Sequence, residues 1–463
     1  MMTTTKSRWR FPIALLVGAL LLAACGDDGG TVADPDDTAE PGDTATAEET
    51  DETGETDAAE ASTDEATGAE GDLSVMHYFS DTLGQEAMGA ILDDFEAESG
   101  ITVADNPMEH EAFKDSILVQ LAGGNPPDAF SYWAGALTQF VVEQGSVQPI
   151  ADVWDEGGFD DLFPAASADA AVYEDDRYLL PFGYHYAGFF YNPAVLEGAG
   201  IDDIPSDWDG FIDMLDELEA SGVAPLALGS SARWPAQFWF DYLLLRTAGP
   251  EYRAALMAGE ASYTDQEVLT AFDMWAELME AGYFVPDANA YDWTDAADQV
   301  ANGEAAMTLM GTWITGYWDG NDLTAGEDYD VFPFPEIESG YGGAAVGPID
   351  GFLLPRDAAN PEAAEELLTF LASAPVQADW AEGQGALAPN EQADTSGRNE
   401  VIQSALEIVG SADSFSFNYD LATEPEMAQV GLDLFAEFVN DPSGRESYLQ
   451  QVQSEAERIF GAA

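Results

Sequence analysis

Basic residues are scarce in this sequence. Lysine and arginine together number 12 against 89 aspartates and glutamates, which gives a formal net charge of −77 over 463 residues. A surface of this sign repels nucleic acid and anionic lipid head groups, so we expect no nucleic-acid partner. An excess of carboxylates is typical of adaptation to high salt, where screening removes most of the self-repulsion. The acidic composition therefore indicates a high-salt environment rather than a specific function.

Cysteine, histidine and the common catalytic motifs are also rare or missing. The single cysteine, Cys25, excludes a disulfide within the chain. The three histidines form no His-x-x-x-His or carboxylate–histidine cluster, so we expect no transition metal. Gly-x-Ser-x-Gly, a P-loop and a dinucleotide-type glycine turn are absent from the sequence, so we expect no cofactor. The many carboxylates leave calcium binding open.

The first 25 residues have the pattern of a secretory signal. Lys6, Arg8 and Arg10 precede the apolar run FPIALLVGALLLAA, and Cys25 follows it at once. The stretch LAAC at its end resembles a bacterial lipobox. This resemblance implies that Cys25 carries a lipid and that the protein is anchored on the extracellular face of the cell membrane. A cysteine standing by chance in a leader is the alternative.

Residues 26–72 contain no lysine, arginine or aromatic residue and are rich in Gly, Ala, Thr, Asp, Glu and Pro. Such a segment cannot bury enough apolar area to offset the entropy of the chain, and its like charges extend it. We therefore predict an acidic, disordered tether between the anchor and the folded part.

From residue 73 onward, strand patterns alternate with helix patterns. LSVMHYFSD precedes the helical GQEAMGAILDDFEAESG, and EAFKDSILVQLAGG precedes the short strand DAFSYW. AAMTLM is a further buried strand, which ends at Gly311–Thr312–Trp313. Alternation of this kind predicts an α/β fold, and 463 residues are too many for one ordinary core.

Four stretches carry a resemblance to one family. They are AGGNPPDAFSYW, LPFGYHYAGFFYN with its continuation to residue 215, GEAAMTLMGTW, and ANPEAAEELLTFLAS with its continuation to residue 390. In order and spacing they resemble the extracellular solute-binding proteins of carbohydrate ABC transporters, the group that includes maltose-binding protein. The members that bind glucosides and related oligosaccharides are the most similar.

This resemblance implies a two-lobed, periplasmic-binding-protein-like α/β fold of type II. We expect an N-terminal lobe of residues 73–186 with 350–395 and a C-terminal lobe of residues 187–349 with 396–463. Each lobe should be a mostly parallel sheet flanked by helices, and the ligand cleft should lie between the lobes.

Four tryptophans are candidates for the cleft wall. Trp133 and Trp313 follow predicted strands, Trp234 opens a helix, and Trp293 precedes one. Ligands of open α/β sheets lie at the carboxyl ends of the strands, and an indole there can pack against the C–H face of a sugar ring. We expect other tryptophans to be core residues: Trp154, Trp208, Trp239, Trp275 and Trp380.

Sugar hydroxyls also need hydrogen-bond partners in place of water. We expect these partners among polar residues close to the predicted crossovers and strand ends: His185, Tyr186, Asp350, Tyr419, Asp420, Glu111 and Asp81. For His185, a role as a buried core residue is an equal alternative. The sequence departs from the pattern of the family at Gly135, Ala136 and Leu137, because maltose-binding relatives carry charged residues that contact the sugar at this place. This departure argues against maltose as the ligand.

Two functions from different classes compete. The first is a monomeric, membrane-anchored binding protein that closes on a mono- or oligosaccharide and delivers it to the permease subunits of an ABC importer. The second is a secreted glycosidase, which would need two carboxylates at a fixed separation. No such pair stands out, and two α/β lobes differ from an eight-unit barrel. We therefore favour a binding protein over an enzyme.

Overall fold

The computed structural model describes residues 73–461, so the signal peptide, Cys25 and the tether predicted for residues 1–72 lie outside the described residues. Within this range the chain forms strands and helices in alternation. The strands are β1 (Leu73–His77), β2 (Val103–Pro107), β3 (Ala129–Trp133), β4 (Val172–Tyr173), β5 (Asp176–Arg177), β6 (Leu180–Tyr184), β7 (Ala187–Tyr191), β8 (Ala224–Ala227), β9 (Ala305–Gly311), β10 (Asp330–Phe332), β11 (Ala344–Val346), β12 (Ile349–Leu353) and β13 (Ser414–Ser416).

The helices are numbered in the same way. They are α1 (Thr82–Ser99), α2 (His110–Gly123), α3 (Ala136–Glu143), α4 (Ala151–Gly157), α5 (Ala165–Asp169), α6 (Pro193–Ala199), α7 (Trp208–Ser221), α8 (Gln237–Met257), α9 (Gln266–Ala281), α10 (Trp293–Ala301), α11 (Trp313–Asp319), α12 (Pro361–Leu371), α13 (Ala374–Gln384), α14 (Glu400–Ser411), α15 (Tyr419–Ala422), α16 (Pro425–Asn440) and α17 (Arg445–Gly461).

Local sequence signals explain several helix boundaries. The Asp81 side chain caps α1 by accepting the backbone N–H of Gly84 at 2.9 Å, and Asp207 caps α7 in the same way. At the other end of α1, Gly100 has a φ of 76°, a left-handed conformation that glycine adopts without strain. Inside α8, Gly249 has a φ of 84° and interrupts the helical geometry.

Two mixed sheets form the centres of two lobes. The first lobe has the strand order β2-β1-β3-β12-β6, and the second has the order β10-β7-β9-β8. In each sheet one strand, β12 or β7, runs antiparallel to its neighbours, and the other strands share one direction. The predicted two-lobed α/β fold is confirmed. These two reversed strands lie just after the points where the chain crosses between the lobes.

Each sheet has its own hydrophobic core. The core of the first lobe draws on residues 73–182 and 349–386, and the core of the second lobe draws on residues 186–346 and 401–456. The short helix α15 joins both, because Tyr419 is buried in the second core and Leu421 in the first. The exact lobe boundaries expected from the sequence stay a prediction.

No helix within residues 73–461 is both long enough and apolar enough to span a bilayer. In the same range, His, Cys, Asp and Glu side chains do not gather in any group of three or more that could hold a metal ion. The expectations of no metal and no cofactor remain predictions.

Candidate functional site

A cavity of about 520 Å³ lies between the two cores. Its walls come from the segments after β1 and β3, the start of α2, the starts of α8, α10 and α11, and the segment at α15. Both lobes therefore contribute side chains to one space. The volume falls in the range of roughly 300–1,000 Å³ that is usual for small-molecule sites.

Aromatic rings form a continuous arc along the cavity. Tyr78 stacks on Trp133 in the first lobe, with ring centroids 4.2 Å apart and planes 18° apart. The ring of His110 meets Trp133 edge-on at 5.2 Å and lies 6.1 Å from Trp234 of the second lobe. Trp234 in turn lies 5.8 Å from Trp313. The arc thus runs from one lobe to the other and offers flat apolar faces on both sides.

Gly311 determines where the ring of Trp313 can lie. Trp313 is the first residue of α11, two positions after the last residue of β9. A Cβ atom at Gly311 would overlap the six-membered ring of Trp313. The glycine therefore leaves room for the indole to fold back over the end of the strand, which explains why the sequence places a tryptophan so close to a glycine.

A chain of polar side chains in contact connects the two lobes at the cavity. The hydroxyl of Tyr78 donates to Asp350 Oδ1 at 2.5 Å, and His185 Nε2 lies 3.3 Å from Asp350 Oδ2. His185 Nδ1 is hydrogen-bonded to Thr312 Oγ1 at 2.9 Å. Burial, followed by the charge of Asp350 and its hydrogen bond, raises the pKa of Tyr78 well above its ordinary value. The tyrosine therefore stays a neutral donor.

Charged side chains of α2 stand at the edge of the same wall. Lys114 Nζ lies 5.7 Å from the ring centroid of Trp133 and donates to Glu111 Oε1 at 3.1 Å. Neighbouring atoms displace part of the water around Glu111, which would raise its pKa, but its hydrogen bond with His110 and the charge of Lys114 lower this pKa to about 2. Lys114 is the one lysine within residues 73–461. It supplies a positive charge to an otherwise acidic cavity.

The segment at α15 adds a second polar cluster. Asn418 Nδ2 donates to Asp420 Oδ1 at 2.6 Å, and the backbone N–H of Asp420 donates to Gln237 Oε1 at 2.9 Å. Asp420 is half-buried beside the cavity, and the loss of surrounding water raises its pKa, although the charge of Lys114, the nearby amide groups of Gln237 and Asn418, and the charge of His110 oppose this. Asn418, Asp420 and Gln237 all line the cavity.

Most of the residues predicted for the cleft lie on this cavity wall. They are Trp133, Trp234, Trp293, Trp313, His185, Asp350, Asp420 and Asp81. His185 is at once almost fully buried and part of the wall, so both roles considered for it describe its position. Contact of these residues with a ligand stays a prediction.

Three predicted site residues lie elsewhere. Tyr186 and Tyr419 are buried in the second core, where Tyr186 packs over Gly188 and Tyr419 shares a 2.6 Å hydrogen bond with Tyr263. Both rings face the core because neighbouring glycines leave space for them there. Glu111 is exposed beside the wall and contacts His110 and Lys114, but it does not line the cavity.

Sequence reasoning missed many wall residues, among them Tyr78, His110, Gln237 and Asn418. Tyr78 could have been found, because it lies near the end of the strand pattern LSVMHYFSD and directly follows strand β1. No local sequence pattern indicates Gln237 or Asn418, since their position on the wall depends on contacts between distant segments. The expected core tryptophans behave as predicted: Trp154, Trp239, Trp275 and Trp380 are buried, and Trp208 is partly buried against the second core.

Residues 80–378 match the model of a family described as bacterial extracellular solute-binding protein. An uncharacterised ABC transporter extracellular-binding protein of Pyrococcus horikoshii is 28% identical over 351 residues, which cover 74% of this chain and 77% of that protein. The xylose/arabinose-binding protein XacG of Haloferax volcanii is 28% identical over 282 residues, 59% of this chain and 60% of that protein.

Among solved structures, the bacterial solute receptor AcbH is similar over 84% of this chain and 99% of its own, with a TM-score of 0.79 and 28% identity. That receptor is described as having an exclusive preference for β-D-galactopyranose.

Proposed function

Because the chain belongs to the bacterial extracellular solute-binding protein family, we propose that it is the substrate-binding component of an ABC importer and that its ligand is a neutral sugar. The single observation that carries this proposal is the arc of aromatic rings that lines one cavity from both lobes. The sugars bound by the similar proteins support the same ligand class.

The chemistry of the wall suits a polyhydroxy ligand. An indole face packs against the C–H face of a sugar ring, while carboxylates and amides accept or donate hydrogen bonds at the hydroxyl rim. The carboxylates on the wall, Asp81, Glu109, Asp350 and Asp420, outnumber the cationic Lys114. Their charge opposes an acidic sugar, because unpaired like charges at a desolvated site are unfavourable. A neutral sugar meets no such penalty.

Closure of the lobes would couple binding to transport. A ligand that touches both lobes binds the closed state more tightly than the open state, and only this difference in affinity shifts the population towards closure. Tyr78 and Trp133 would hold the ligand from the first lobe, and Trp234 and Trp313 from the second. The closed form would then dock on the permease subunits of the importer as a monomer.

The N-terminal residues supply the second part of the proposal. A lipid on Cys25 would hold the protein on the extracellular face of the membrane, and residues 26–72 would act as the acidic tether. Support comes from the sequence pattern and from the extracellular family that residues 80–378 match. The alternative of a glycosidase is not favoured, since the matched family and the similar proteins are binding proteins of transporters.

A titration of tryptophan fluorescence at high salt tests this function. The panel is D-galactose, D-xylose, L-arabinose and maltose, and at least one sugar should give a saturable shift. Chromatography of the sample afterwards should recover the sugar unaltered. Absence of any response to the panel would contradict a neutral-sugar receptor, and release of monosaccharide from maltose would favour the enzyme.

A further inference from the structure

Three amide groups on the cavity wall have an unused hydrogen-bonding atom: Gln237 and Asn418 are almost fully buried, and Gln384 is half-buried. Among the residues that the structure describes, Asn418 Oδ1 has no hydrogen-bond partner, and Gln237 Nε2, which faces the Asp420 carboxylate, has none within hydrogen-bonding distance. Gln237 is 1% exposed and Asn418 is 6% exposed, and both line the cavity. A buried polar atom without a partner is unfavourable, so such atoms in a cavity wall point to a group that enters from the cavity.

The orientation of both amides is fixed by Asp420. Gln237 Oε1 accepts the backbone N–H of Asp420 at 2.9 Å, so a flipped amide would place two donors against each other. Asn418 Nδ2 donates to Asp420 Oδ1 at 2.6 Å, so a flip there would place two acceptors together. The unused atom is therefore a donor on Gln237 and an acceptor on Asn418.

Asp420 lies between the two amides. Its carboxylate is half-buried on the wall and adds acceptor capacity beyond the bond from Asn418. The segment is also held firmly, because Tyr419 on one side is buried in the second core and Leu421 on the other side is buried in the first. Asn418 and Asp420 are thus presented to the cavity from a segment that is anchored in both cores.

We infer that Gln237 Nε2, Asn418 Oδ1 and the carboxylate of Asp420 form a subsite for two adjacent hydroxyl groups of a neutral sugar ring. A hydroxyl both accepts and donates, so one hydroxyl accepts from Gln237 and donates to Asp420 while its neighbour donates to Asn418. The inference rests on the proposed function. It adds a specificity: a ring that lacks either hydroxyl leaves a buried polar atom unpaired and binds weakly.

The test compares Gln237→Glu with the wild-type protein. This change keeps the oxygen that accepts the Asp420 N–H and replaces the unused donor by an acceptor. The probe is the panel sugar that binds the wild-type protein most tightly. We expect the dissociation constant of Gln237→Glu to rise at least tenfold, because a hydroxyl would face an acceptor where it needs a donor.

Gln148→Glu is the matched control. Gln148 Nε2 also lacks a partner within residues 73–461, but this side chain does not line the cavity. We expect its dissociation constant to equal that of the wild-type protein. Equal binding by Gln237→Glu and the wild-type protein would overturn the inference and leave the proposed function standing. A response to no sugar of the panel would contradict both.

Monodeoxy analogues of the same sugar give a second measurement on the wild-type protein, which does not depend on the folding of a variant. Two analogues, modified at neighbouring ring positions, should each bind at least tenfold more weakly. Against one of the two, Gln237→Glu should cause no further loss, because the interaction is already absent. Equal affinity for all analogues, or losses that only add, would overturn the inference.

Discussion

The cavity wall and the core of the second lobe are built from the same residue types, but they differ in which side chains have a face open to the cavity. In the core, the fully buried Trp275 packs on Phe438 with ring centroids 4.7 Å apart. On the wall, Trp313 contacts His185, Trp234 and Phe238, and part of its surface faces the cavity. One ring has all its neighbours within the protein, and the other has a free face.

The buried carboxylates differ in the same way. In the core, Asp241 accepts from Arg253 with Oδ1 and from the backbone N–H of Tyr419 with Oδ2. On the wall, Asp420 accepts from Asn418 and faces the cavity with its remaining capacity. The comparison teaches that residue type alone does not mark a binding residue. An unused face or atom that points into a shared cavity does.

We expect the largest change in stability from a substitution in the core. Replacing Trp275 by Ala should lower the free energy of unfolding by about 3–5 kcal/mol, the usual cost of emptying a large aromatic site. Urea denaturation followed by circular dichroism measures this change. Sugar affinity below the unfolding transition should stay at the wild-type value. A loss of sugar affinity in the folded variant would contradict the assignment of Trp275 to the core alone.

Trp313→Ala should show the opposite pattern. Its dissociation constant for sugar should rise at least tenfold, about 1.4 kcal/mol, while the melting temperature stays near wild type. Isothermal titration calorimetry and a thermal scan of the same sample measure both quantities. Unchanged affinity would remove Trp313 from the binding site.

A pH titration sharpens the comparison of the two carboxylates. Burial raises the pKa of Asp241 to about 6, although Arg253 opposes the shift. A folded-state pKa above the unfolded value gives stability that is present at low pH and is lost as pH rises through about 6. From pH 7.5 to pH 5, we expect the wild-type protein to gain about 1 kcal/mol of unfolding free energy relative to Asp241→Asn.

Urea denaturation at both pH values measures this difference. The other carboxylates titrate in both proteins, so their contributions cancel. Parallel pH profiles of the unfolding free energy for the two proteins would contradict a raised pKa of Asp241.

The smallest effect should come from Gly311→Ala. The added methyl group must displace the ring of Trp313, because the two occupy the same space. We expect a severalfold weaker affinity with a minor change in melting temperature. Gly198→Ala in α6 is the matched control, since a Cβ there meets nothing within 4 Å. Equal affinities for the two variants would contradict the role assigned to Gly311.

Much of the wall could be predicted because its aromatic residues follow the ends of strands. Trp133 is the last residue of β3, and Trp313 follows β9 by two positions. Local sequence patterns place strand ends, and the geometry of α/β sheets then places the residues at one edge.

The rest could not be predicted because it depends on packing between distant segments. Tyr186 follows the last residue of β6 by two positions, as Trp313 follows β9, yet its ring turns into the core over Gly188. Gln237 reaches the wall through a hydrogen bond to a residue 183 positions away. Neither the direction of a ring nor a partner so distant in sequence is visible in a local pattern.

The embedding of α15 in two cores has a mechanical consequence. A rigid-body rotation of one lobe against the other must withdraw Tyr419 from its core, withdraw Leu421 from the other, or bend the backbone between them. Bending requires the least loss of buried surface, so the rotation axis should pass close to this peptide segment. A ligand bound close to that axis would restrict the segment that connects the two lobes. A small rotation there would produce large displacements at the edges of the lobes far from the axis.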